Sequence, residues 1–153
     1  MTDRLNDSLG YATSVTVYDS LGRVRQTQDP TPQGGRLISD SFYDSRGWVR
    51  KKNNQYWDPA TAPTLAVASV QDSKIPNQDV YTFDGLGHTV VDDSEQYANL
   101  AQETVNVYNG DTTTVIPPKG GTVKTTVTDP LGRTTELDEY SAAPTLRGLG
   151  PPG

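Results

Sequence analysis

Hydrophobic and polar residues exchange at every second position over several short stretches. The clearest is Thr122 to Thr128, where Thr and Val alternate around Lys124; Thr104 to Tyr108 does the same with Val105 and Val107. A period of two places one set of side chains on each face of a half-buried strand. Comparable runs come in pairs: Thr13 to Tyr18 with Arg23 to Thr27, Leu37 to Tyr43 with Trp48 to Lys52, and Val80 to Phe83 with His88 to Asp92. The expected fold class is therefore all-β, a succession of antiparallel hairpins forming a strip or partial shell, with loops and a disordered C-terminal tail.

The segment joining each pair repeats. Tyr18-Asp19-Ser20-Leu21-Gly22-Arg23 returns as Tyr43-Asp44-Ser45-Arg46-Gly47-Trp48, as Phe83-Asp84-Gly85-Leu86-Gly87-His88, and as Thr128-Asp129-Pro130-Leu131-Gly132-Arg133. Val107-Tyr108-Asn109-Gly110-Asp111 is a worn fifth copy. An Asp, two central residues and a Gly suit a type I turn followed by a left-handed residue. The carboxylate caps the turn backbone, and Gly accepts the positive φ that closes the hairpin. With a three-residue loop Asp19 faces Arg23 and Asp129 faces Arg133; with a four-residue loop Tyr18 would face Arg23 instead.

Between the second and third copies the interval widens. It holds Tyr56-Trp57-Asp58-Pro59 and the run Ala60 to Val70, and Pro59, Pro63 and Pro76 break it before any helix of ordinary length. An ordered loop with one short strand is expected there, and Pro117 to Gly121 is expected to form a corner between strands. The chain divides into a lead-in (1–12), a hairpin region (13–140) and a Pro/Gly-rich tail (141–153) expected to be disordered.

Composition narrows the function classes. Val, Ile, Leu and Phe make up about a fifth of the 153 residues, near the level at which chains stop sustaining a thick core. The formal charge is −6 and there is no cysteine, which excludes disulfides and thiolate chemistry. An acidic chain whose one basic cluster is Arg46, Arg50, Lys51 and Lys52 is unsuited to nucleic acid. No apolar run reaches the roughly 20 residues of a membrane span, so no membrane insertion is expected, and Met1 to Gly10 lack the order of a signal peptide.

Candidate chemistry is sparse. His88 is the sole histidine, too little for a zinc site or a Ser-His-Asp triad. Asp92, Asp93 and Glu95 crowd carboxylates without the spacing of a calcium loop, and are expected to form an acidic turn. Glu136, Asp138 and Glu139 lack a visible pocket. Gly85-x-Gly87 lacks the third glycine of a dinucleotide loop. No catalytic residue, cofactor or metal is expected. The eight tyrosines and two tryptophans remain; packing on a thin sheet, with the tyrosine hydroxyl reaching water, is the favoured reading, and Tyr56 with Trp57 is the best local cluster for the other, stacking on a sugar ring.

The Tyr-Asp-x-x-Gly-Arg units, from about Val15 to Tyr140, resemble those of RHS/YD-repeat proteins, the family that includes bacterial polymorphic toxins and toxin-complex shells. Tyr56-Trp57-Asp58 and the connector Val115 to Thr122 resemble those of actinobacterial members. The resemblance implies a hairpin strip that coils with neighbouring repeats into a hollow shell, secreted or at the cell surface, enclosing a C-terminal toxin cargo, with no chemistry of its own. Tyr18, Asp19, Gly22, Arg23, Tyr43, Asp44, Gly47, Phe83, Asp84, Gly87, Asp129, Gly132 and Arg133 are then structural turn residues. The alternative is a surface module whose β face binds a glycan or a partner protein. Five repeats are too few to close a shell, so the chain is expected to be a truncated product or a fragment, with edges near Thr13 and Thr135 that recruit another copy or stay protected by charge and Pro. Asp129-Pro130-Leu131-Gly132 resembles the opening of the motif that releases the toxin, but Arg133 departs from it, leaving Asp129 a turn residue. Trp48 and His88 stand where Arg is usual, so charge pairing is expected to be lost in those two copies.

Overall fold

The computed structural model of the protein describes residues 2–5 and 11–141. The regular elements among them are eleven strands and one short 3₁₀ turn at Asp72–Lys74. The strands are β1 (Thr2–Leu5), β2 (Tyr11–Tyr18), β3 (Val24–Pro30), β4 (Arg36–Tyr43), β5 (Val49–Asp58) and β6 (Gln78–Phe83). They continue as β7 (Thr89–Gln96), β8 (Asn99–Asn109), β9 (Thr112–Ile116), β10 (Val123–Thr128) and β11 (Thr134–Tyr140). Their order in the sheet is their order in the chain, so the fold is all-β, an open sheet of successive antiparallel hairpins. The lead-in contains a strand of its own, since Thr2 to Leu5 pair with Ser14 to Tyr11. The Pro/Gly-rich segment from 142 to 153 lies outside the described residues.

Hairpins β2–β3, β4–β5 and β10–β11 share one irregularity. In each, a residue three positions after the turn glycine has no cross-strand partner: Arg25, Arg50 and Thr135. An extra residue on one strand is a β-bulge, which bends the strand and sharpens its right-handed twist. The remaining connections differ. Gly110 (φ 64°) and Asp111 join β8 to β9 as a two-residue loop between Asn109 and Thr112. The worn fifth copy is thus a hairpin of a tighter kind, with glycine first. Pro117 to Gly121 is the expected corner, closed by Gly121 N–H donating to Pro118 O at 2.9 Å.

The described residues form two compact units, those up to 82 with 93–101, and 83–92 with those from 102 to 141. In the first, Ile38, Tyr56 and Ile75 make a small apolar cluster, with Ala68 and Val70 packed on it. Burying Ile38 and Ile75 fully contributes roughly 1.5–3 kcal/mol each. Val15 is buried as well, and the other buried residues of this unit are polar: Gln26, Gln28, Arg36, Asp40, Asn53 and Gln78. In the second unit Val123 and Thr114 are buried, and the Thr114 and Thr125 hydroxyls share a hydrogen bond at 2.8 Å.

The widened interval carries no strand. It lies over β3, β4 and β5 as a loop fastened by glutamine side chains. Thr64 N–H donates to Gln28 Oε1 at 2.8 Å and Gln28 Nε2 donates to Ala66 O at 2.9 Å. Ala68 N–H donates to Gln26 Oε1, and Gln26 Nε2 to Ala68 O, both at 2.9 Å. Two strand glutamines thereby satisfy loop backbone groups that would otherwise be costly to bury. Asp92, Asp93 and Glu95, expected in a turn, lie within β7 because that strand runs on to Gln96.

Candidate functional site

The four Asp-x-x-Gly turns are built alike. The Asp N–H donates to the backbone carbonyl four residues on: Asp19 to Arg23 (2.8 Å), Asp44 to Trp48 (2.9 Å), Asp84 to His88 (3.0 Å) and Asp129 to Arg133 (2.9 Å). The three-residue loop is therefore the one adopted. Each turn glycine has a positive φ: Gly22 76°, Gly47 93°, Gly87 94° and Gly132 76°. One Asp oxygen accepts two backbone N–H groups, as Asp19 Oδ1 does from Leu21 and Arg23 at 2.9 Å. Asp44 Oδ1 accepts from Arg46 and Trp48, Asp84 Oδ1 from Leu86 and His88, and Asp129 Oδ1 from Leu131 and Arg133.

The second oxygen takes the side chain after the glycine. Arg23 and Arg133 each chelate their Asp, through Nε and a terminal nitrogen, both at 2.7 Å. His88 does the same with one nitrogen, Nδ1 lying 2.8 Å from Asp84 Oδ2. The expectation that His88 loses the pairing is corrected: imidazole at this position reaches the same oxygen that arginine does. Trp48 donates its backbone N–H to Asp44, and its ring meets the Arg46 guanidinium at 4.9 Å.

These contacts lower three carboxyl pKa values below the ordinary aspartate range. For Asp19 the Arg23 backbone N–H is the chief cause, working against desolvation and helped by the Arg23 side chain and the Leu21 N–H. For Asp129 the Arg133 backbone and then its guanidinium dominate. At Asp84 desolvation pulls upward, but the His88 side chain and the N–H groups of His88 and Leu86 together outweigh it.

The residue after the turn glycine also ties its hairpin to the next. The Arg23 guanidinium lies 4.2 Å from the centre of the Tyr43 ring, and the Tyr43 hydroxyl donates to Val24 O at 2.9 Å. In the second unit the His88 ring lies 4.6 Å from Tyr108, whose hydroxyl donates to Thr89 O at 3.2 Å. Val24 and Thr89 follow Arg23 and His88 directly, so one stitch is made twice with different residues. Tyr108, from the worn copy, takes the part of Tyr43. Tyr18 is exposed and Phe83 half-buried at the ends of their strands.

A second cluster centres on Asp40. Its Oδ1 accepts from Arg25 (2.9 Å) and Gln26 (2.7 Å), and its Oδ2 from Asn53 and Tyr56, both at 3.0 Å. Four donors satisfy the buried carboxylate fully, which marks an anchor rather than a reactive group. Tyr56 reaches Asp40 because β5 bulges: Ile38 faces Tyr56 while Asp40 faces Asn53. Two side chains three residues apart thus point the same way. Tyr56 is only 5% exposed, and burial, with the Asp40 carboxylate beside it, raises its pKa.

That placement divides the expected sugar-stacking pair. Tyr56 is in the core with its hydroxyl engaged, and Trp57 alone is exposed, at 55%. Trp57 stands at a cleft of about 420 Å³ that Asp58, Pro59, Ser69, Val70, Gln71 and Lys74 help to line. The indole N–H donates to Gly34 O at 3.3 Å. Asp58 Oδ2 is held by Arg36 Nε and a terminal nitrogen at 2.9 and 2.8 Å, and Asp58 Oδ1 accepts from Ala60 N–H at 3.1 Å. Gly35 makes the close fit possible, since a Cβ there would collide with Asp58 O and come within 2.8 Å of Pro59 Cα.

Among the described residues no group of three or more His, Asp or Glu side chains gathers to hold a metal, and no helix is long and apolar enough to cross a membrane. No protein-family model, curated protein or solved structure matches the chain.

Proposed function

We propose that the chain is a non-catalytic structural segment of an RHS/YD-repeat shell, one that encapsulates and presents a C-terminal toxin. The observation that carries this reading is the turn module itself. An Asp carboxylate organises the turn of each of four hairpins, and in two of them, one turn in each unit, the residue after the turn glycine packs on a tyrosine of the following hairpin. A module that caps its own turn and grips its successor suits a strip assembled from repeats, because each hairpin alone buries too little to be stable. The bulge that follows the turn in three hairpins supports the same reading, since repeated bulges give a strip a consistent sense of curl.

The partners on this reading are further YD-repeat hairpins and the enclosed cargo, and the setting is secretion or the cell surface. The test compares hydrogen exchange in the chain alone and in the chain joined to YD-repeat hairpins at both ends. Slower exchange in β1 and β11 only in the joined form is the expected result. Equal protection in both forms, with a monomeric mass by light scattering for the chain alone, would overturn the reading.

A further inference from the structure

The cleft beside Trp57 is absorbed neither by the turns nor by the Asp40 anchor, and its chemistry is specific. One wall is strand β5 and its continuation, Trp57-Asp58-Pro59; the other is the loop from Ser69 to Lys74. Both walls are fixed. The indole nitrogen is tied to Gly34, and the loop is held by the pairing of Gln26 with Ala68. The aromatic surface is therefore presented in place, so little ordering entropy is lost when something settles on it.

The polar groups around it decide what that is. Asp58 brings no free charge, because Arg36 chelates one oxygen and a backbone N–H takes the other. The Ser69 hydroxyl, the Gln71 amide and the Lys74 ammonium make no side-chain hydrogen bond or ion pair among the described residues, and all three residues are exposed. An exposed indole flanked by a hydroxyl, an amide and an ammonium offers a flat apolar surface rimmed with hydrogen-bonding groups. A pyranose ring is the complementary shape, apolar across its C–H face and ringed by hydroxyls. With Lys74 the one lysine lining the cleft in a chain of net charge −6, the surrounding field disfavours a polyanion.

We infer that the Trp57 cleft is a binding site for a neutral pyranose unit of a glycan, with Trp57 as the stacking platform and Ser69, Gln71 and Lys74 as hydroxyl partners. The site goes beyond the containment reading and is independent of it, since neither the turn module nor the sheet edges take part.

The experiment is an NMR titration of the isotopically labelled full chain with cellohexaose, chitohexaose and an oligogalacturonate, followed at the Trp57 indole N–H and the amides of residues 69–74. Either neutral oligosaccharide should shift these signals saturably. Trp57→Ala should weaken binding by at least about tenfold, Trp57→Phe and Lys74→Ala by about threefold each, and Trp48→Ala not at all. Amide dispersion of each variant checks that the fold persists, and the half-exposed position of Trp57 favours that. The proposal is overturned if neither neutral probe moves the Trp57 signal at about 10 mM, a concentration that would register even millimolar affinity. It is equally overturned if Trp57→Ala binds as the parent does, or if only the oligogalacturonate binds.

Discussion

Gln26 and Ala68 hold each other twice across 42 positions of chain, the Ala68 N–H donating to Gln26 Oε1 and Gln26 Nε2 donating back to the Ala68 carbonyl. The glutamine amide stands in for a neighbouring strand. Replacing it with Met keeps most of the volume but leaves both Ala68 groups, and one oxygen of Asp40, short of a partner. Each unpaired buried group costs about 1–3 kcal/mol, so Gln26→Met should lower stability by about 2–4 kcal/mol. Urea unfolding measures the loss, and hydrogen exchange at Ala68 should rise along with it. A change under about 0.5 kcal/mol would mean that the loop is held by packing on Ile38 and Ile75 instead.

How much of this was legible depended on what each position had to reveal. The Asp-x-x-Gly turns were readable because their chemistry is local: a carboxylate caps, a glycine turns positive, and both lie within five residues. Gln26 and Gln28 were not, because a period-two pattern counts polar residues as outward, whereas here the loop above β3 supplies the partners that let them face inward. Tyr56 is buried, as the packing reading of the tyrosines has it, but its place beside Asp40 was hidden for a different reason. The bulge in β5 breaks the period between Asn53 and Tyr56, and nothing nearby in the sequence announces a bulge. The link between β7 and β8 was missed because Tyr97 and Ala98 include neither Gly nor Asn. The aromatic pair stands out by its composition, and the structure divides it into a buried tyrosine bonded to Asp40 and an exposed tryptophan.

Tyr56 and Asp40 make an alkaline limit. Burial and the adjacent carboxylate raise the phenol's pKa in the folded chain, so between the unfolded value, about 10, and the higher folded value the unfolded chain holds fewer protons. Stability is fully present below about pH 10 and falls as pH rises beyond it. Tyr56→Phe should lose about 1 kcal/mol at neutral pH through the missing hydrogen bond and should flatten the alkaline slope. Thermal melts from neutral pH to about pH 11 decide it, and an unchanged slope in the variant would assign the limit to another group.

The turn carboxylates set the acid limit, with the opposite sign. Asp19, Asp84 and Asp129 have pKa values below the ordinary range, so the unfolded chain takes up protons first as pH falls. The stabilisation is present above about pH 4 and is lost as pH drops through the folded values. Exchange at the Leu131 and Arg133 amides should accelerate, relative to the intrinsic rate, between about pH 5 and pH 2. Asp129→Asn should remove that dependence from the β10–β11 hairpin and leave it intact at Leu21 and Arg23. Loss at both hairpins together would show that the tips melt only with the whole sheet.

Ala98 holds the most instructive backbone position. With Tyr97 at φ 52° and Ala98 at φ 61°, two non-glycine residues in succession occupy the left-handed region, at a cost of roughly 1–2 kcal/mol each. The neighbours enforce it: Tyr97 N–H donates to Ile75 O at 3.0 Å, Ala98 N–H donates to Gln78 Oε1 at 3.1 Å, and Asn99 Nδ2 bonds Tyr97 O at 3.0 Å. Ala98→Gly relieves the strain but adds freedom to the unfolded chain worth about 0.5–1 kcal/mol. The net expectation is stabilisation by about 0.5–1 kcal/mol. Ala98→Pro, which removes the N–H that Gln78 accepts and forbids the positive φ, should destabilise by about 3 kcal/mol or more. Denaturant midpoints of the two variants give the answer, and a destabilised Ala98→Gly would mean that the Ala98 methyl contributes packing that outweighs its strain.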